Sequence, residues 1–162
     1  MGRDLVDVVV EDARWQAFGL PNLAERAARA ALAGVGPGPE EFSVSMMGCD
    51  DRRIAVLNAA FRGKPVATNV LSWPSQERGA TVAGAEPERP DPGELGDIAL
   101  AWETCAAEAL AQGKPMADHV THLIVHGVLH LLGYDHVDEA DAALMERHEV
   151  RILATLGVSD PY

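Results

Sequence analysis

The sequence predicts an α+β domain, and three observations carry the prediction. Runs with strand periodicity and runs with helix periodicity are grouped, four of the first against about five of the second. At 162 residues and 48% hydrophobic, the chain is long enough for one substantial core and no second domain. An aromatic share of 5% leaves aliphatic side chains to fill that core. From Glu103 onward the pattern is helical almost throughout.

Each element has a local cause. Leu5 to Glu11 alternates Val6, Val8 and Val10 with Asp7 and Glu11, as a half-buried strand does. Leu23 to Leu32 is an alanine-rich helix, opened by Pro21 and Asn22 and closed by Gly34. Glu41 to Met47, with Phe42, Val44 and Met46 against serines, is a second strand that stops at Gly48. Asp50 or Asp51 then caps a helix whose Ile54, Leu57 and Phe61 share a face, and Gly63 ends it with Arg62 in the last turn. Val66 to Trp73 is a third strand, halted by Pro74, and Leu95 to Trp102 a fourth. Between them, residues 75–94 mix Pro87, Pro90 and Pro92 with glycines and acids. This composition buries little apolar surface and predicts a mobile insertion. Helices over Glu103 to Gln112, Met116 to Leu132 and Glu139 to Leu156 complete the chain, the last with Asp138 as its N-cap.

The middle of these three helices carries the chemistry. Residues 126 to 136 read H-G-V-L-H-L-L-G-Y-D-H. His126 and His130 lie one turn apart, roughly 6 Å along the axis, so two imidazoles can converge on one ion at about 2.0–2.1 Å. Gly133 can end the helix in a left-handed cap, and Tyr134 and Asp135 can then swing His136 back to the same ion. The pattern predicts a zinc site at the end of a central helix, one ion per chain. Three nitrogens leave one position for water or substrate, which is the arrangement of a catalytic site. Nickel also suits imidazole ligands. His119 and His122 extend the stripe but stand roughly 10 Å and 6 Å along the axis from His126, outside a set that includes His130. Asp135 is expected to accept a ligand histidine's free N–H, and His148 to sit at the edge of the core.

The same histidine spacing occurs in zinc peptidases, where a glutamate follows the first histidine as general base. Here that position is Gly127, so a peptidase would need another carboxylate, and Asp97 and Asp135 are the candidates. On this reading, Gly127→Glu would keep the metal without creating a peptidase.

With His126, Gly127, Leu129, His130, Leu131, Gly133, Tyr134, Asp135 and His136 in place, the chain resembles the YbeY-type metal-dependent endoribonucleases, which mature ribosomal RNA in bacteria. Asn58, the run Phe61 to Lys64, the run Thr68 to Pro74, Gly96 to Ile98 and Gln112 to Pro115 fit the same resemblance in the same order. Between Arg62 and Thr68, where the family usually carries an aspartate, this chain has Pro65, Val66 and Ala67. The resemblance implies a small mixed sheet covered by helices. It implies cleavage of single-stranded RNA in ribosomal RNA maturation, at the small-subunit 3′ end, and in ribosome quality control. His126, His130 and His136 would be its metal ligands, and His126 and Arg62 its catalytic centre. Its partners would be ribosomal RNA and ribosomal proteins or ribosome-associated factors, with neither DNA nor membrane.

A net charge of −12 argues against a protein that coats nucleic acid, because non-specific affinity scales with the phosphates neutralised. RNA must then be met locally, by Arg62 and Lys64, with Lys114 elsewhere; Arg52 and Arg53 read as a solvated helix face. The acidic surface also fits a ribosome assembly factor in which the metal only staples the fold. No apolar run approaches the ~20 residues of a membrane span, and Met1 to Leu5 lacks the apolar stretch of a secretory signal, so the expected location is the cytoplasm. Cys49 and Cys105, with no C-x-x-C spacing, are expected to be buried reduced thiols.

Overall fold

Alternation decides the sheet. In β1 (Val6–Val10) and β2 (Phe42–Cys49) the side chains turn alternately to opposite faces, and Phe42, Val44 and Met46 are buried together. β1 runs parallel to β2 with Val6 opposite Val44. β2 runs parallel to β4 (Gly93–Ala101) with Met46 opposite Ile98. β3 (Val70–Pro74) runs antiparallel to β4 with Ser72 opposite Ile98. The order β1-β2-β4-β3 makes β3 an edge of a mixed sheet, as the resemblance implies. The structure, a computed structural model, describes residues 4–36 and 38–162. The reading of the chain's first three residues therefore lies outside the described ones.

Six α-helices are present among the described residues, against about five expected. The additional one is α1 (Ala13–Phe18), a short helix between the Asp12 N-cap and Gly19. α2 (Leu20–Val35) starts earlier than Leu23, because Pro21 occupies its first turn, where a missing N–H costs nothing. It also runs through Gly34 to a cap at Gly36: the Ile152 side chain fills the space beside Gly34, 2.6 Å from where a Cβ would stand. α3 (Asp51–Arg62) begins at the Asp50 cap, whose side chain accepts from the Arg53 N–H, and ends at Gly63 with φ 69°, as expected. α4 (Trp102–Ala111), α5 (Met116–Leu131) and α6 (Glu139–Thr155, capped by Asp138) follow. Trp102 therefore opens a helix and does not close the fourth strand.

The two faces of the sheet are covered unequally. Over the first, α5 packs on β3, β4, α2, α4 and α6. Ile124, Val125, Val128 and Leu129 of α5 are fully buried there with Val44, Met46, Ile98 and Leu100. Each such side chain contributes about 1.5–3 kcal/mol of burial. On the second face, α3 covers only one half, with Ile54 against Cys49, Leu71, Ala99 and Ala101. The stripe Ile54, Leu57, Phe61 runs off the packed area: Ile54 is fully buried, while Phe61 is 64% exposed, contrary to its predicted place on a core face. Cys49 and Cys105 are buried free thiols, both pushed up to about 12 by burial.

The segment between β3 and β4 contains no helix or strand, and side chains tie it to the core. Arg78 donates to Leu95 O at 3.0 Å and to Leu131 O at 2.8 Å, satisfying a carbonyl at the end of α5. Gly84 N donates to Asp141 Oδ1 at 2.7 Å. Glu86 accepts from Tyr134 Oη and lies 2.8 Å from His148 Nε2.

Candidate active site

Spacings of three, four and four residues bring His119, His122, His126 and His130 to one side of α5. The first two have their own partners. His119 is buried with Nε2 at 2.8 Å from Glu108 Oε1, an oxygen that also accepts from Asn69 Nδ2 at 2.9 Å. His122 Nε2 meets Glu149 Oε1 at 2.9 Å.

At the C-terminal end of α5, Gly133 (φ 105°) turns the chain back. A Cβ there would stand 2.4 Å from Arg78 O, so this position needs glycine for space as well as for its dihedral. The turn carries His136 to His126, with ring centroids 5.2 Å apart and planes tilted by 34°. Two imidazoles bound to one tetrahedral ion at about 2.0–2.1 Å have centroids roughly 5 Å apart, so this pair has the separation such an ion requires.

The other ring nitrogens are held from outside. His126 Nδ1 lies 2.7 Å from Glu149 Oε2, and His130 Nδ1 lies 2.5 Å from Ser72 Oγ. In the tautomers with Nδ1 protonated, both Nε2 lone pairs are free, and neither Nε2 has a partner among the described residues. Burial, then the neighbouring His126, Arg62 and His136 against the opposing Asp135, lowers the His130 pKa and favours the neutral, ligating form. Among the described residues, no group of three or more His, Cys, Asp or Glu side chains is closed up enough to hold an ion as it stands.

Glu149 is the residue of the candidate site that sequence reasoning missed. It is fully buried on α6 between Met145 and Ile152. Burial opposes its charge, but hydrogen bonds from His122, His126 and Tyr162 outweigh this and hold its carboxyl down to about 2. A signal existed: a lone glutamate four residues after Met145 and four before Leu153, on an otherwise apolar face. Asp135, the expected orienting carboxylate, instead accepts from the His136 backbone N–H at 2.7 Å. His148 is half-buried and engaged by Glu86 and Arg151.

Arg62 comes to the site from the opposite face of the sheet, at the end of α3. It is exposed, it contributes to lowering the His130 pKa, and it forms no hydrogen bond or ion pair with any described residue. Asn58 holds its turn in place, donating from Nδ2 to Val66 O at 3.0 Å. Arg53, by contrast, is engaged with Glu11 at 3.3 Å. Gly127 faces the core, where a Cβ would stand 3.1 Å from Ile98 Cδ1. A glutamate there would press into the sheet and not reach the histidines, so it could not serve as the general base that it is in the zinc peptidases. Asp97 pairs with Trp73 on the other side of the sheet from Ile98, so it cannot stand in for the missing base.

A small mixed sheet with a histidine-bearing helix on one face, an arginine arriving from the other and a buried carboxylate behind the histidines defines an α+β protein with a metal-hydrolase type of donor set. The solution structure of TM1509 from Thermotoga maritima shares this fold at a TM-score of 0.57 and 19% identity, over 96% of this chain and 97% of that one. The family model described as Endoribonuclease YbeY matches residues 10–157. A protein from Cereibacter sphaeroides named Endoribonuclease YbeY is 60% identical over 98% of each chain. One of the same name from Paracoccus denitrificans is 58% identical over 98% of this chain and 90% of its own. The chain belongs to the Endoribonuclease YbeY family. The names of these relatives do not favour the peptidase or the non-catalytic assembly-factor reading. No helix among the described residues is long and apolar enough to cross a membrane.

Proposed function

We propose that this chain is a metal-dependent endoribonuclease that cuts single-stranded RNA during maturation of the small-subunit ribosomal RNA 3′ end and in ribosome quality control. On this reading it works in the cytoplasm beside ribosomal proteins, with RNA and not DNA as substrate. The observation that carries the proposal is the His126–His136 pair, with ring centroids 5.2 Å apart, together with an exposed Arg62 that acts on the charge of His130 and has no partner among the described residues.

His126, His130 and His136 would hold one zinc ion per chain through ring nitrogens, and nickel suits the same donors. A bound ion of this kind supplies Lewis-acid polarisation of a phosphoryl oxygen. Glu149 and Ser72 keep the Nδ1 protons of His126 and His130 and so aim both Nε2 atoms inward. Arg62 pairs with the scissile phosphate and stabilises the charge that grows on it in the transition state, with Lys64 beside it on the path of the strand. Since the protein carries −12 overall, this local pair must do the work of attraction.

The test is metal analysis of untagged protein together with cleavage of a single-stranded RNA. About one zinc per chain is expected, lost in His130→Ala together with RNA cleavage. Metal content unchanged in that variant would remove the histidines as ligands. Casein digestion by the unaltered protein, with RNA left intact, would remove the nuclease reading.

A further inference from the structure

We propose, resting on the nuclease reading above, that the uncovered half of the second sheet face is a nucleobase subsite. There the exposed ring of Phe61 stacks one unpaired base of the RNA strand whose phosphate Arg62 holds, with Trp73 as the wall beside it. The subsite is a groove of about 430 Å³ whose lining includes Phe61, Trp73, Met47, Asp7 and Asp97.

Four observations converge on this groove. Phe61 stands 64% exposed at a helix position where the sequence pattern calls for burial. Its ring lies 5.2 Å from that of Trp73 at 60°, so Phe61 is a stacking platform flanked by the Trp73 ring. Trp73 Nε1 is buried with no hydrogen-bond partner among the described residues, an N–H that still needs an acceptor. Asp97 lies opposite Trp73 in the β3–β4 pair and offers an acceptor from the neighbouring strand.

Chain connectivity joins the groove to the site. Phe61 precedes Arg62, and Trp73 follows Ser72, whose hydroxyl holds His130. Successive side chains of a strand point to opposite faces, so the β3 edge separates the histidines from the platform by one residue. An RNA strand crossing that edge can place its phosphate at Arg62 and its base on the Phe61 ring. Charge sets this orientation. Asp7 and Asp97 repel the phosphate backbone, while a neutral base offers a flat face to Phe61 and ring or exocyclic N–H groups to Asp97.

The experiment measures binding and cleavage of a single-stranded RNA by the full-length metal-loaded protein and by Phe61→Ala, Phe61→Tyr and Trp73→Phe. It is repeated with an RNA made abasic in turn at each nucleotide around the cut. Phe61→Ala is expected to weaken RNA binding roughly tenfold, and Phe61→Tyr to leave it near the original. One abasic position should weaken the unaltered protein to a similar degree and leave Phe61→Ala no weaker than it already is. Because Phe61 is exposed, its variants test the platform without testing the fold, and Trp73→Phe separates the N–H from the ring. If the unaltered protein cuts RNA and all three variants bind it equally well, the subsite is overturned while the nuclease reading stands. If the unaltered protein neither binds nor cuts RNA, the nuclease reading falls and the subsite with it.

Discussion

The sheet has one sealed face and one half-open face. Over the first, α5 is packed on strands and helices alike, and its Gly127 leaves no room for so much as a methyl group without displacing Ile98. Over the second, α3 covers Cys49, Leu71, Ala99 and Ala101, then leaves Phe61, Trp73 and Asp97 beside solvent. The candidate site lies where the two meet, at the β3 edge. His126 and His130 come from the sealed side, where part-buried hydrogen bonds with Glu149 and Ser72 fix their rings, and Arg62 comes from the open side, where a long substrate can approach. Fixed donors belong on the rigid side, and a strand of RNA needs the accessible one.

This contrast can be broken most sharply at Gly127. Gly127→Glu forces a carboxylate against Ile98 and should destabilise the fold by several kcal/mol, read as a large fall in thermal midpoint or insoluble protein. An unchanged midpoint would mean that α5 is not seated on β4 as described.

Next is the buried carboxylate behind the histidines. Glu149→Gln keeps the shape but turns amide hydrogens toward histidine N–H groups. Metal retention on dialysis against a chelator should fall about 10–100-fold. Equal retention would remove Glu149 from the site. On the open side, Arg62→Lys keeps the charge and loses the planar two-pronged donor, so cleavage should fall about tenfold with metal content and midpoint unchanged. Equal cleavage rates would sink that role.

The smallest effect concerns the sealed face again. Glu25 on α2 accepts from the Leu5 and Val6 backbone N–H groups at 3.0 and 2.9 Å and pins the start of β1. Burial opposes its ionisation, but these bonds and Arg29 hold its carboxyl below the ordinary value of 4.5. A carboxyl lowered on folding stabilises above its unfolded pKa, and that contribution is lost as pH falls through the folded value. Glu25→Gln should therefore cost about 1 kcal/mol at pH 7, and the difference from the unaltered protein should shrink as pH drops below about 4.5. A difference that stays constant across acid titration would show that the carboxylate charge is not what pins β1.

Much of the fold was legible because its causes are local. Asp50 and Gly63 bracket α3, Asp138 caps α6, and strand alternation gave β1 and β2 within a residue or two. Where reading failed, a distant partner had overridden a local sign. Gly34 looks like a helix stop until Ile152 from α6 is seen beside it, and Phe61 looks like a core residue until it is seen beside the half of the sheet face that α3 leaves open. α1 was missed because its six residues are too few to show a helical period.

By itself the sequence determined which imidazoles share a helix face, that the chain can turn after them, and that an arginine closes α3. Helix periodicity and glycine caps depend only on neighbours along the chain. Only the tertiary structure decided what surrounds them. Glu149 lies 23 residues from His126, and Ser72 lies 58 residues from His130. No periodicity reaches across such separations; the pairs form because the packing of α5 and α6 and the register of β3 bring them within hydrogen-bonding distance. The same register sends Ser72 toward the histidines and Trp73 toward the open groove, so two adjacent residues serve opposite sides of one edge strand.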